Sequence, residues 1–134
     1  MRTARRSTAL LLAAALLAGC GDEPDDDGNP VPSSWIRGQY TSSGADYVDG
    51  VDGPAAVADE IHRHSAARER LSSGDMVFLR YRDDIVAVSP YRAGSLIEVD
   101  DYRTGYRRWK PHLRSVWPDP DSASFRGGGP GSGK

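Results

Sequence analysis

One cysteine stands in the 134-residue chain, Cys20, and its chemistry is the easiest to name. As a thiolate it is a nucleophile. With no second cysteine, no disulfide can form within the chain. Its setting is specific: Arg2, Arg5 and Arg6 form a cationic head, and an uninterrupted apolar run from Ala9 to Ala18 leads to Gly19 and Cys20. About ten apolar residues is half of what a helix needs to span a bilayer. A basic head, a short apolar segment and small residues before the break describe a secretory signal over residues 1–19. Outside the cytoplasm a lone thiol is a liability unless it is capped.

Leu17-Ala18-Gly19-Cys20 resembles the bacterial lipobox. The resemblance implies cleavage between Gly19 and Cys20 and a diacylglyceryl thioether on Cys20, with acyl chains such as palmitate. An ordinary cleaved signal with a chance cysteine is the alternative. Two acyl chains hold a protein to a bilayer where one does so only marginally. The membrane is therefore the first expected partner, and the protein is expected outside the cytoplasm, lipid-anchored to the bacterial cell membrane. Arg5-Arg6 carries no further part of the twin-arginine pattern, so the export route stays open.

The second chemical feature is the stretch from Tyr102 to Trp117, with five cations (Arg103, Arg107, Arg108, Lys110, Arg114), no acids, and the aromatics Tyr102, Tyr106, Trp109 and Trp117. Two readings compete. Either the aromatics cover a sheet while the arginines face water, or the segment touches an anionic surface, where each basic group contributes about 1 kcal/mol. Candidate partners are lipid head groups, an anionic envelope polymer or another envelope protein. Arg80, Glu98 and Asp100 form a third candidate surface, discussed with the strands that carry them.

Other motifs lose to simpler readings. Glu23-x-Asp25-x-Asp27-Gly28 imitates the start of a calcium loop, but the twelfth position is Ser34 where Glu is needed. Gly128-x-x-x-x-Gly133-Lys134 has phosphate-loop spelling without the following hydroxyl residue. His62 and His64 lie two apart on an expected helix and so point to different faces. No metal site, catalytic set or cofactor is therefore expected. Loss of the three leader arginines moves the formal charge from −2 to −5. Nucleic-acid binding, which leaves a basic surplus, is not expected.

These residues must be held by one small domain, 35–117, between a lipidated acidic Pro-rich tether (20–34) and a Gly/Pro/Ser-rich disordered tail (118–134). Asp52, expected as the N-cap, and Gly53-Pro54 precede a helix to His64, with Val57, Ala58 and Ile61 on one stripe. Trp35-Ile36 suggests a helical turn or strand, Tyr47–Val51 a strand, and Ser65–Gly74 a polar loop. Val77, Leu79 and Tyr81 alternate with Phe78, Arg80 and Arg82 as in a half-buried strand. Turns at Asp83-Asp84 and Ala93-Gly94 would pair Leu79 with Val88 and Val88 with Val99. They place Val77, Leu79, Tyr81, Val86, Val88, Ile97 and Val99 on one face, under the helix. Arg80, Ala87 and Asp100 then form a row on the opposite face, and Phe78, Ser89 and Glu98 the next. That face is expected to be exposed, with weak ion pairs, or to be a polar docking surface. Gly105 and Pro111 limit the helix after Asp101 to a short one ending near Lys110. The fold class expected is α+β: a small three- to four-stranded antiparallel meander with one packed helix.

Leu17–Cys20, Val57-Ala58-x-Glu60-Ile61, Val77-Phe-Leu-Arg-Tyr81 followed by Asp84-Ile85-Val86, Glu98-Val99 and the Phe125-to-Lys134 tail resemble the bacterial family called domain of unknown function 4247. The resemblance carries no assigned catalytic residues over to this chain. The residues favour a non-enzymatic accessory or interaction module. An envelope enzyme with an unrecognised site and a sensor of an anionic ligand through residues 102–117 are the alternatives.

Overall fold

The computed structural model describes residues 29–122. The expected signal segment, Cys20, the expected tether as far as Gly28, the calcium-like spelling and the expected tail from Ala123 lie outside the described residues. Within them, helix α1 (Ser33–Gln39) and the hairpin β1 (Thr41–Ser43) and β2 (Asp46–Asp49) come first. Helix α2 (Pro54–His64) leads to strands β3 (Glu69–Ser73), β4 (Met76–Arg80), β5 (Asp84–Tyr91) and β6 (Gly94–Asp101). Helices α3 (Tyr102–Arg108) and α4 (Lys110–Leu113) follow. The strands form one antiparallel sheet of six, in the order β1-β2-β6-β5-β4-β3. The architecture is α+β, but three to four strands was an undercount.

The missing strands have physical explanations. β3 replaces the expected polar loop: Leu71 is its one large apolar residue, and Gly74, at φ 59°, takes the left-handed conformation that closes the β3–β4 hairpin. β1 is three exposed residues attached through β2 to β6. Gly94 makes that attachment possible. A Cβ there would sit 2.0 Å from the carbonyl oxygen of Asp49, so only glycine lets β2 approach the start of β6.

Gly94 is therefore used for close approach and not for the turn. The β5–β6 turn falls one residue earlier, on Arg92-Ala93, with Arg92 at φ 53°. The β4–β5 turn likewise sits on Arg82-Asp83, with Tyr81 N–H donating to Asp84 O. Each pairing shifts by two: Leu79 faces Val86, and Val88 faces Ile97. A shift of two leaves every side chain on its face. The apolar face stands as expected, with Val77, Leu79, Tyr81, Val86, Val88 and Ile97 buried and Val99 partly buried under Val57, Ala58 and Ile61 of α2. Ile36 of α1 joins this core.

Two local expectations change. Asp52 does not cap α2; the cap is Gly53, and Asp52 O accepts from the buried Ser95 hydroxyl. Ordered structure also reaches beyond 35–117 at both ends. Asn29 Nδ2 donates to Ala66 O and Arg82 N–H to Asn29 O, while Pro118 O accepts from the Tyr102 hydroxyl and Pro120 is buried.

The opposite face is a second core. Phe78, Ile85 and Ala87 are buried against Tyr102, Tyr106, Leu113 and Trp117, with Leu71, Met76 and Trp109 at its margin. Gly105 explains the contact. Its Cα faces Ile85 and Asp100, whose Cβ atoms would lie 3.2 and 3.3 Å from an added methyl, so glycine lets α3 lie close on the sheet.

Candidate functional site

The charged residues singled out from the sequence gather around α3. Asp101 caps the helix, its Oδ1 accepting from Thr104 N–H at 3.0 Å, and this bond holds its carboxyl below the usual range. Tyr102 and Tyr106 turn inward and are buried, so neither presents a ring to a partner. Burial pushes the Tyr102 hydroxyl up to about 12. Arg108 reaches back to the sheet, with Nη1 3.0 Å from both Glu98 and Asp100. Those side chains are only 14% and 17% exposed. Desolvation raises the pKa of both, aided by the Asp46 charge and opposed by Arg108.

The register moves Arg80 out of the row expected for it. Its row is Glu69, Arg80, Ile85 and Asp100, so an isoleucine separates it from Asp100. Arg80 pairs with Glu69 at 2.5 Å and lies over the Tyr102 ring, 5.1 Å from its centroid. Phe78, Ala87 and Glu98 form the other row. Arg80 therefore meets no carboxylate across Ala87. The face expected to be exposed is covered by α3 and α4, because its apolar residues outnumber its charges at the centre.

The basic stretch is largely neutralised from within. Arg107 forks onto Asp121, with Nη2 3.1 and 3.0 Å from its two oxygens and Nε 3.2 Å from Oδ2. Arg103 lies 3.5 Å from the same carboxylate, and Lys110 Nζ 3.3 Å from Asp119. Backbone N–H donation from Asp121 and the Lys110 ammonium hold the Asp119 carboxyl below its usual value. Among the described residues, Arg114 alone of the five cations pairs with no carboxylate. Residues 118–122 supply the acids that the stretch itself lacks.

Sequence reasoning missed one pair with nucleophile chemistry. Ser73 Oγ lies 2.9 Å from His112 Nδ1, joining the end of β3 to α4 across 39 residues of chain. His112 also packs on Phe78, ring centroids 5.5 Å apart. A serine–imidazole bond is the core of an activated hydroxyl, although a third group orienting the ring completes such a device. The separation in sequence left no spacing signal. The other histidines have local roles: His62 Nδ1 accepts from Ala67 N–H, and His64 stacks on Trp35 at 4.5 Å. Among the described residues no group of three or more acids and histidines is placed to hold a metal ion, and no helix is long and apolar enough to cross a membrane.

Two grooves open at one end of the sheet. The first, about 610 Å³, lies between the start of α2 and the β3–β4 turn, lined by Pro54, Ala55, Asp75, Met76, Val77 and Pro90. The second, about 450 Å³, lies beside β1 and is lined by Thr41, Ser43, Val48, Tyr91 and Arg92. Asn29 binds at the other end, against Ala66 and the β4–β5 turn.

A family model for a domain of unknown function (DUF4247) matches residues 13–134, nearly the whole chain. The chain belongs to that family. Neither a curated protein nor a solved structure matches it. The match to DUF4247 begins within the apolar run before Cys20 and includes the tail, so segments outside the described fold belong to the family's pattern as well.

Proposed function

We propose that this DUF4247 protein is a lipid-anchored accessory module of the bacterial cell envelope, presenting its domain at the outer face of the cytoplasmic membrane and acting by contact with an envelope partner. One observation supports it above the others: the fold takes hold of the chain at Asn29, nine residues after Cys20. Nine residues reach at most about 30 Å. A lipid on Cys20 would keep the domain at the membrane surface, with the β4–β5 turn nearest the attachment and both grooves at the far end. Labelled palmitate should enter the protein and be lost in Cys20→Ala, which should also leave the membrane fraction. Undiminished labelling of that variant would remove the anchor from this reading. A photo-crosslinker at Val51, 81% exposed beside the grooves, should capture one envelope protein reproducibly and only in anchored protein.

Ser73 and His112 favour a second reading, an envelope hydrolase. Labelling of Ser73 by a phosphonylating probe, abolished in His112→Ala, is the result that would place catalysis above the accessory role.

A further inference from the structure

We infer that Asp119 and Asp121 are an internal substitute for anionic lipid headgroups, occupying the Arg103–Arg107–Lys110 patch until membrane phosphates displace them. The inference deepens the envelope reading and depends on it only for where lipid is met.

The geometry begins with Arg107. Its guanidinium holds the two oxygens of Asp121 in the fork arrangement that suits carboxylate and phosphate alike. Arg103 and Lys110 flank it and complete a line of three cations on two acids. All three cationic side chains are more than half exposed, at 54%, 61% and 54% for Arg103, Arg107 and Lys110. The single contacts of Arg103 and Lys110 are of the weakly held exposed kind, whereas the Arg107 fork is displaced by an anion that offers it two oxygens, as a phosphate does.

The segment carrying the two acids is fixed by other means. Trp117 and Pro120 are buried, the Tyr102 hydroxyl donates to Pro118 O at 2.8 Å, and the Ser122 hydroxyl donates to Asp119 O at 2.7 Å. The Asp121 carboxylate can therefore swing off Arg103 and Arg107, and Asp119 can release Lys110 while keeping the Asp121 N–H, with the backbone in place. A phosphate takes over the contacts without unfolding.

Position relates the patch to the membrane through Arg103. Tyr102 N–H donates to Asp83 O, and the preceding residue of that turn, Arg82, donates to Asn29 O. Arg103 thus stands beside the point where the chain departs toward Cys20. Arg103 lies at the end of the domain nearest the proposed attachment, and α3 and α4 carry Arg107 and Lys110 back along the sheet face from it, toward His112 and Ser73.

The test uses the chain from residue 20 onward with Cys20→Ser, so that no acyl chain contributes. Sedimentation with vesicles of phosphatidylglycerol and phosphatidylcholine, against phosphatidylcholine alone, measures binding. Removing two acids from a basic patch at an anionic surface should raise partitioning on the order of tenfold in Asp119→Asn/Asp121→Asn, with loss of the gain at high salt. Adding Arg107→Glu should abolish the gain. An unchanged partition coefficient, or an equal rise on neutral vesicles, overturns the inference. Binding of a soluble poly(glycerol phosphate) with none to vesicles also overturns it, in favour of an envelope polymer. Near-ultraviolet circular dichroism reports whether the double variant folds. If it does not, single Asp121→Asn, which leaves the Asp119 turn intact, must show a smaller salt-sensitive gain or the inference fails. Palmitate labelling of Cys20 is independent of all these outcomes.

Discussion

The two faces of the sheet are closed by different means. The α2 face is covered by an eleven-residue helix carrying Val57, Ala58 and Ile61, over strands whose alternate residues are Val, Leu, Tyr and Ile. Its main ion pair, Arg70 with Asp59, sits at the rim. The α3 face is covered by two short helices and the segment that follows them, and its apolar centre is ringed by ion pairs from Arg80, Arg103, Arg107, Arg108 and Lys110. One face relies on an amphipathic stripe. The other sinks aromatic rings between charged groups. An arginine-rich segment can thus be structural cover, and its charge is interpretable only after its acids are located.

Neighbouring residues of β4 offer the sharpest way to break this comparison. Phe78 and Leu79 are both fully buried but point to opposite faces. If the α3 face is a true core, Phe78→Ala should cost about 3–5 kcal/mol, and Leu79→Ala about 2–5. Urea denaturation measures both. A cost below about 1 kcal/mol for Phe78→Ala would reduce α3 and α4 to a loose cover. Gly105→Ala should cost about 1 kcal/mol, as tight contact with Ile85 and Asp100 outweighs the helix propensity gained. The same change at a helix position without close neighbours should stabilise.

Asp101→Ala should cost about 1 kcal/mol through loss of the α3 cap. Its folded pKa is depressed, so this contribution is present above the ordinary aspartate range and is lost as pH falls through the lowered value. Wild type and variant should converge in strong acid. Glu98 has the opposite sign. Its folded pKa is raised, chiefly by desolvation, so its ionisation weakens the fold as pH rises above the usual carboxylate range. Thermal midpoints of wild type, measured relative to Glu98→Gln, should therefore decline across that interval. The smallest effect is expected for Asp59→Asn at the exposed α2 rim, a shift of the urea midpoint close to experimental error.

The α2 face was legible because alternation along β4, β5 and β6 and the stripe of α2 point the same way. Even turns placed one residue late kept the faces correct, since two successive errors of register by two preserve parity. The α3 face carried a signal that alternation concealed. Met76-Val77-Phe78-Leu79 and Ile85-Val86-Ala87-Val88 are continuous apolar runs, the mark of strands buried on both sides. Read that way, they would have required a second layer, and Tyr102, Tyr106 and Leu113 at helical spacing were available to supply it. The partners of the basic residues were less accessible. Asp119 and Asp121 fall in a stretch whose Pro and Ser content reads as tail, and only burial of Trp117 and Pro120 folds it back. Ser73 with His112 depends on tertiary placement alone.

The order of strands has a consequence in time. β3 to β6 pair with sequence neighbours, whereas β1 and β2 must find β6, on the far side of α2 and three intervening strands. Local pairings form faster than distant ones. The first hairpin made on the chain is therefore expected to be the last to dock, waiting until Gly94 comes within reach of Asp49. Pulse-labelling hydrogen exchange should find β2 amides protected later than those of β4 and β5. Until that moment β6 keeps an open edge, and the unfinished domain is most vulnerable to pairing with another chain.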